Sequence, residues 1–349
     1  MNKNTDSPGV EEADAADRNI LDALVAGALS ARLPDEEAIR ALTDWPEEAA
    51  AELSEAAERV REHYFGDAVS FCGIVNARSG ACSENCAFCA QSAHHKAVSP
   101  RHEFLPLDEI LRAAKALRDA GATRFSLVTS GKRLSNHDFD RLLETLRAVS
   151  ALGLRADCSP GVLDRGRLRE LKMAGCGAYH HNLETGRAFF PRICMTHAYE
   201  EDVQSVRDAV EEGLTVCSGG IFGLGESWAD RVELALELRN LGVHSVPVNF
   251  LHPVPGTPLA DRPVLSRGEA LKIVALFRFL LPDRQIRICG GRHDVFGPEH
   301  RAEPFRSGAS GIMVGDYLTL KGRDAAEDRD LARGLGLRPE RGEDYSGGA

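Results

Sequence analysis

From Ala68 onward the chain alternates eight times between a short β-rich run and a longer amphipathic stretch, and that rhythm leaves few folds open. The strand-like runs are "AVSFCGIV" from Ala68, "RFSLVT" from Arg124, "RADCS" from Arg155 and "AYHHNL" from Ala178. They continue with "TVCSGGI" from Thr215, "SVPVNF" from Ser245, "QIRIC" from Gln285 and "GIMVG" from Gly311. Helix-like runs such as "LDEILRAAKALRDAG" and "SWADRVELALELRNLG" lie between them, several ending in the glycine that usually follows a helix. Connections this long exclude hairpins. Eight such units predict an α/β chain closing into a TIM-type (β/α)8 barrel rather than an open doubly wound sheet.

The flanks read differently. Residues 1–17 are polar and acidic and read as a disordered tail, and residues 18–66 carry apolar residues at helical spacing and read as a helical cap. The barrel is expected over 67–322. Residues 323–349, rich in charge and glycine, read as a partly disordered extension. Lys+Arg 42 against Asp+Glu 53 gives a net charge of −11, which argues against a broad nucleic-acid or anionic-membrane surface. No apolar run reaches the roughly 18 residues of a membrane span, and the N-terminal residues lack a signal pattern. A cytoplasmic protein is expected. Nine cysteines, an odd number, then point to metal or redox chemistry rather than disulfides.

Three of those cysteines, Cys82, Cys86 and Cys89, crowd into "ACSENCAFCAQSAHH" after the first strand, at the barrel end where chemistry resides. Three thiolates can hold three corners of an iron-sulfur cube and leave one iron for an outside ligand. A structural zinc needs a fourth protein ligand, which His94 or His95 could supply. Four more cysteines fall on alternate strands: Cys72 on the first, Cys158 on the third, Cys217 on the fifth and Cys289 on the seventh. Side chains of one barrel layer come from alternate strands, so these four are expected to meet. Taken singly, each is a small buried hydrophobe, and Cys176 and Cys194 are expected to be ordinary free thiols.

The C-x3-C-x2-C spacing with Phe88 before the last cysteine resembles the radical S-adenosylmethionine (SAM) enzymes. Together with "YHHNLETG", "VCSGGIFGLGES", "VPVNFLHPVPGTPLAD" and "ICGGR", it resembles the biotin synthases over about Ala68 to Leu337. The resemblance implies a 4Fe-4S cluster on Cys82, Cys86 and Cys89, with SAM chelating the open iron and Phe88 beside its adenine. It implies Asn182 and Glu184 as contacts of SAM or of the ureido ring, and Asn249 as a contact of that ring. It also implies an auxiliary cluster, 2Fe-2S in the best-known members, on cysteines of the second, third and fifth strands and an arginine of the seventh. Cys158, Cys217 and Arg292 match three of these positions, but Ser126 stands at the second-strand cysteine.

The expectation is therefore a variant auxiliary cluster held by Cys72, Cys158, Cys217 and Cys289, with Arg292 beside it. A second departure is Asp202, where the family commonly presents an arginine to the methionine carboxylate. The implied reaction is radical sulfur insertion into dethiobiotin, with a flavodoxin or ferredoxin as electron donor and a homodimer as the assembly. Hydrogenase maturases and methylornithine synthases would share the loop but need not place thiolates on the odd strands, and a zinc-bearing scaffold is the non-enzyme alternative.

Overall fold

The computed structural model describes residues 8–318 and 320–341. Its strands are β1 (Ala68–Arg78), β2 (Arg124–Thr129), β3 (Arg155–Ser159), β4 (Tyr179–His180), β5 (Val216–Cys217), β6 (Gly220–Phe222), β7 (Ser245–Phe250), β8 (Gln285–Ile288), β9 (Gly311–Tyr317), β10 (Leu320–Arg323) and β11 (Arg338–Pro339). Parallel pairing runs from β1 through β9, and β9 pairs back onto β1, so the sheet closes. The fifth barrel strand is split into β5 and β6. Pro247 of β7 has no N–H to give the ladder, and Gly219, between the two halves, lies so close that a Cβ there would sit 2.1 Å from the Pro247 carbonyl oxygen.

Helices follow the strands, and short polar side chains start them. Ser135, Asp164, Ser227 and Ser266 each accept a hydrogen bond from a first-turn backbone N–H. The N-terminal helices Glu36–Asp44 and Ala50–Phe65 pack on Arg267–Leu280, a helix buried from Ala270 to its end. Helix Pro8–Leu29 packs there too, and it begins well before residue 18. The expected tail is thus helical from Pro8, and residues 1–7 lie outside the described part, as do residues 342–349 of the expected C-terminal extension. The remainder of that extension forms helix Ala325–Gly334 and β11, which adds to β1 beside the barrel's N-terminal end. There buried Glu340 accepts hydrogen bonds from Ser70 at 2.8 Å and Thr123 at 3.3 Å.

Strand parity decides what faces the lumen. Ser126 pairs with Asp157 and Cys158 with Tyr179, and partners in a parallel ladder share a face. The Tyr179 hydroxyl lies 2.7 Å from Ser205 on the surrounding helix Tyr199–Glu211, so Tyr179 and Cys158 point outward. Asp157 points in. Inside the barrel it holds Arg124 of β2 through two hydrogen bonds of 2.8 and 2.9 Å, both side chains being fully buried. Burial opposes its charge, yet Arg124 and His180 overcome that and bring its pKa down to about 2.

Breaking a buried pair strands a charge, so Asp157→Leu should lower the unfolding free energy by about 3–5 kcal/mol, read from denaturant midpoints. Because the folded-state pKa lies below the unfolded value of about 3.9, this contribution is complete above that pH and is lost as pH falls through about 2. A flat acid titration of stability in the parent would contradict it.

Candidate metal centre and active site

A cavity of about 390 Å3 opens at the C-terminal end of the strands and runs down into the barrel. The three-cysteine loop forms one wall. Gly80 and Ala81 turn the chain with φ of +76° and +50°, after which Cys82 and Gln91 are joined by a 3.0 Å backbone hydrogen bond and Cys82 accepts from Ala93 at 2.9 Å. His94 and His95 do not complete a metal site with these thiols. Their Nε2 atoms lie 2.9 Å from the Ser83 carbonyl and 3.0 Å from the Cys86 carbonyl, so the two rings tie the loop to itself. Cys82, Cys86 and Cys89 all line the cavity. Phe88 packs with Phe189, Ile193, Leu224 and Leu251 as an apolar patch at the mouth.

Four polar residues expected at the site resolve into different roles. Glu184 is a non-glycine residue at φ +66°, and burial with the nearby Asp202 charge pushes its carboxyl up to about 8. Near neutrality it can therefore both donate and accept a hydrogen bond. Asn182 lies 3.4 Å from it and accepts from the Gly219 N–H at 3.2 Å. Asn249 is largely committed to the scaffold: it accepts from the Gly290 N–H at 2.9 Å and the Tyr317 hydroxyl at 3.3 Å, and donates to the Gly220 carbonyl at 3.1 Å. Asp202 is buried and accepts from His181 Nε2 at 2.8 Å and His197 Nε2 at 3.1 Å. Among the described residues, Lys132 and Arg287 are the two Lys or Arg residues on the cavity wall, and Lys132 pairs with Glu201 at 2.8 Å.

Deeper in the barrel, three of the four expected cysteines meet. Cys72, Cys217 and Cys289 line the lumen, all buried. Burial pushes the Cys72 thiol up to about 12 and raises the other two as well, while Arg287 pulls all three the opposite way. Cys158 does not join them. Its outward parity places its Sγ 3.6 Å from Cys176 at the end of a neighbouring helix, and Asp157 takes the inward position. Ser126, also inward, lies 3.3 Å from His180 Nδ1.

Arg292 is likewise misplaced as a lumen residue. It opens the short helix Arg292–Phe296 and holds Asp328 with a 3.0 Å hydrogen bond, outside the cavity. The strand arginine is Arg287, whose Nη1 lies 3.7 Å from Cys217 Sγ. The sequence carried the signal: Arg287 and Cys289 are two residues apart on one strand and share a face, whereas Arg292 follows two glycines. Cys194 also departs from expectation. Its Sγ is 3.9 Å from Cys86 Sγ and 3.2 Å from His197 Nδ1, and bonds from Cys86, His197 and Thr196 hold it well below the ordinary thiol range, at about 3.

Residues 77–238 match the family model of the Radical SAM superfamily, and residues 247–338 match the Biotin and Thiamin Synthesis associated domain. A biotin synthase of Syntrophus aciditrophicus is 47% identical over 291 residues, covering 83% of this chain and 89% of that protein. One from Trichlorobacter lovleyi is 47% identical over 319 residues, covering 91% and 96%. Methylornithine synthase superposes with a TM-score of 0.80 at 22% identity, over 92% of this chain and 98% of that one. HydG, a maturase of the FeFe-hydrogenase, gives 0.80 at 19% identity over 95% and 77%. Likeness at such low identity is a likeness of fold. No helix among the described residues is long and apolar enough to cross a membrane.

Strand parity makes a test by metal content. After anaerobic reconstitution, Cys158→Ser protein should retain the iron and sulfide of the parent, while a Cys72→Ser, Cys217→Ser protein should lose the lumen share and keep that of the loop. Loss of iron in Cys158→Ser alone would reverse the assignment.

Proposed function

The chain belongs to the biotin synthase family, and on that premise we propose how its own side chains serve the conversion of dethiobiotin to biotin. The donor chemistry fits two iron-sulfur groups, because soft thiolates gather at two depths of one cavity. When bound, the 4Fe-4S cluster with SAM supplies a 5'-deoxyadenosyl radical and the auxiliary cluster supplies sulfur.

Cys82, Cys86 and Cys89 would hold the 4Fe-4S cluster, and SAM would complete its coordination. Phe88 and its apolar neighbours receive the adenine and exclude water. Glu184, carrying its proton near neutral pH, pairs with a ribose diol as donor and acceptor, and Asn182 steadies it. Lys132 takes over from the family's arginine at the methionine carboxylate, since Asp202 is occupied by two imidazoles. Cys72, Cys217 and Cys289 would hold the auxiliary cluster. Arg287 offsets the negative charge that three buried thiolates would gather. Asn249 orders the wall between the two levels and keeps one amide N–H for the ureido group.

The observation that carries the reading is the two-level arrangement of thiols along one cavity. Nine unpaired cysteines suit a reducing cytoplasm, with a flavodoxin or ferredoxin as the reductant and a homodimer as the working form. Anaerobic protein with a strong reductant, SAM and dethiobiotin should release biotin together with 5'-deoxyadenosine; nucleoside without biotin would overturn the substrate assignment. Lys132→Met should raise the KM for SAM about tenfold, the value of one charge-assisted hydrogen bond of roughly 1.5 kcal/mol, with a smaller change in kcat. An unchanged KM would remove Lys132 from the site.

A further inference from the structure

Beside the three-cysteine loop, four donor atoms from different side chains converge in a way that the cluster does not require. Cys86 Sγ and Cys194 Sγ are 3.9 Å apart, Cys194 Sγ and His197 Nδ1 are 3.2 Å apart, and His197 Nδ1 and Glu84 Oε2 are 2.6 Å apart. The donor atoms of Glu84, Cys194 and His197 all lie within 4.8 Å of one another. A tetrahedral ion with metal–sulfur bonds of about 2.3 Å and metal–nitrogen or metal–oxygen bonds of about 2.0 Å needs donor separations of roughly 3.3 to 3.8 Å. Small shifts reach that.

The surroundings orient these donors. His197 turns its other nitrogen, Nε2, to Asp202 at 3.1 Å, the carboxylate–histidine arrangement that fixes a metal-binding imidazole. Glu84 is held by hydroxyls, Thr196 Oγ1 at 2.7 Å on Oε2 and Ser83 Oγ at 2.9 Å on Oε1. All four donor residues line the same cavity.

We propose that Glu84, Cys86, Cys194 and His197 form a site for a single divalent ion of borderline softness, Zn2+ or Fe2+, that competes with the iron-sulfur cluster for Cys86. Two thiolates, one imidazole and one carboxylate are a donor set such ions accept. The ion takes the place of the protons shared among these donor atoms, which leave to solvent as it binds. Occupation and cluster assembly exclude each other, because Cys86 cannot serve both. The competition rests on the reading of Cys86 as a cluster ligand; binding of the ion does not.

Cobalt(II) reports the site directly, since tetrahedral thiolate-bound Co2+ has intense visible bands. Cluster-free, reduced, full-length protein titrated anaerobically should develop these bands with a single equivalent of Co2+. Zn2+ or Fe2+ should then bleach them. A Cys82→Ala, Cys89→Ala protein should keep the bands, and Cys194→Ser and His197→Gln proteins should lose them. Zn2+ added first should slow cluster reconstitution in the parent but not in Cys194→Ser. Bands that vanish in Cys82→Ala, Cys89→Ala and persist in Cys194→Ser would overturn the site, as would failure of both Zn2+ and Fe2+ to displace cobalt. Failure of the biotin synthase reading would appear instead as absent biotin in the reconstituted parent, whatever cobalt does.

Discussion

A closed parallel barrel admits only alternate residues of each strand to its interior, and the chemistry available to this chain follows from that constraint. On β3 the inward places fall to Asp157 and Ser159, which leaves Cys158 facing the helices. On β8 and the residue after it, the same rule brings Arg287 and Cys289 inward together. The lumen thereby divides. One side carries Arg124, Ser126, Asp157 and His180 in a hydrogen-bonded, charged group, and the other carries three thiols with Arg287. Soft thiol donors and buried ionic pairing lie at the same depth of the barrel, Cys72 being in register with Arg124 and Cys217 with His180.

The two sides depend on each other through charge. Three thiols buried at one place resist ionisation, and burial raises all of them. Arg287 is the nearest compensation. Arg124 adds its field to Cys72 and Cys217 but is neutralised locally by Asp157. The Arg124–Asp157 pair is weak evidence for added stability on its own, yet losing half of it would place a bare charge beside the thiols. At the barrel's N-terminal end, apart from both groups, Glu340 and its hydroxyl partners Ser70 and Thr123 are joined by hydrogen bonds.

At the mouth, Asp202 is met by His181 and His197, while His197 also reaches Glu84 in the cysteine loop. The network links helix Tyr199–Glu211 to the loop through side chains of both signs. Among the described residues, Lys132 and Arg287 are the cationic side chains that line the cavity. Cys194 lies inside this network rather than apart from it.

The sequence by itself determined the barrel, its order of units, the cysteine loop at the mouth and the family, because hydrophobic period, turn residues and cysteine spacing are local properties written along the chain. It also put Cys72, Cys158, Cys217 and Cys289 on alternate strands, and Cys72, Cys217 and Cys289 line one cavity. It did not determine which residue of a strand looks inward, since shifting a five-residue run such as "RADCS" by one position exchanges Asp157 for Cys158 without disturbing the pattern. Only the tertiary structure decided that Cys158 faces the helices, and that Cys194 and His197 join Glu84 from more than a hundred residues away. Those choices are made by closure of the sheet and packing of the loops on it, which couple residues that carry no mutual signal in sequence.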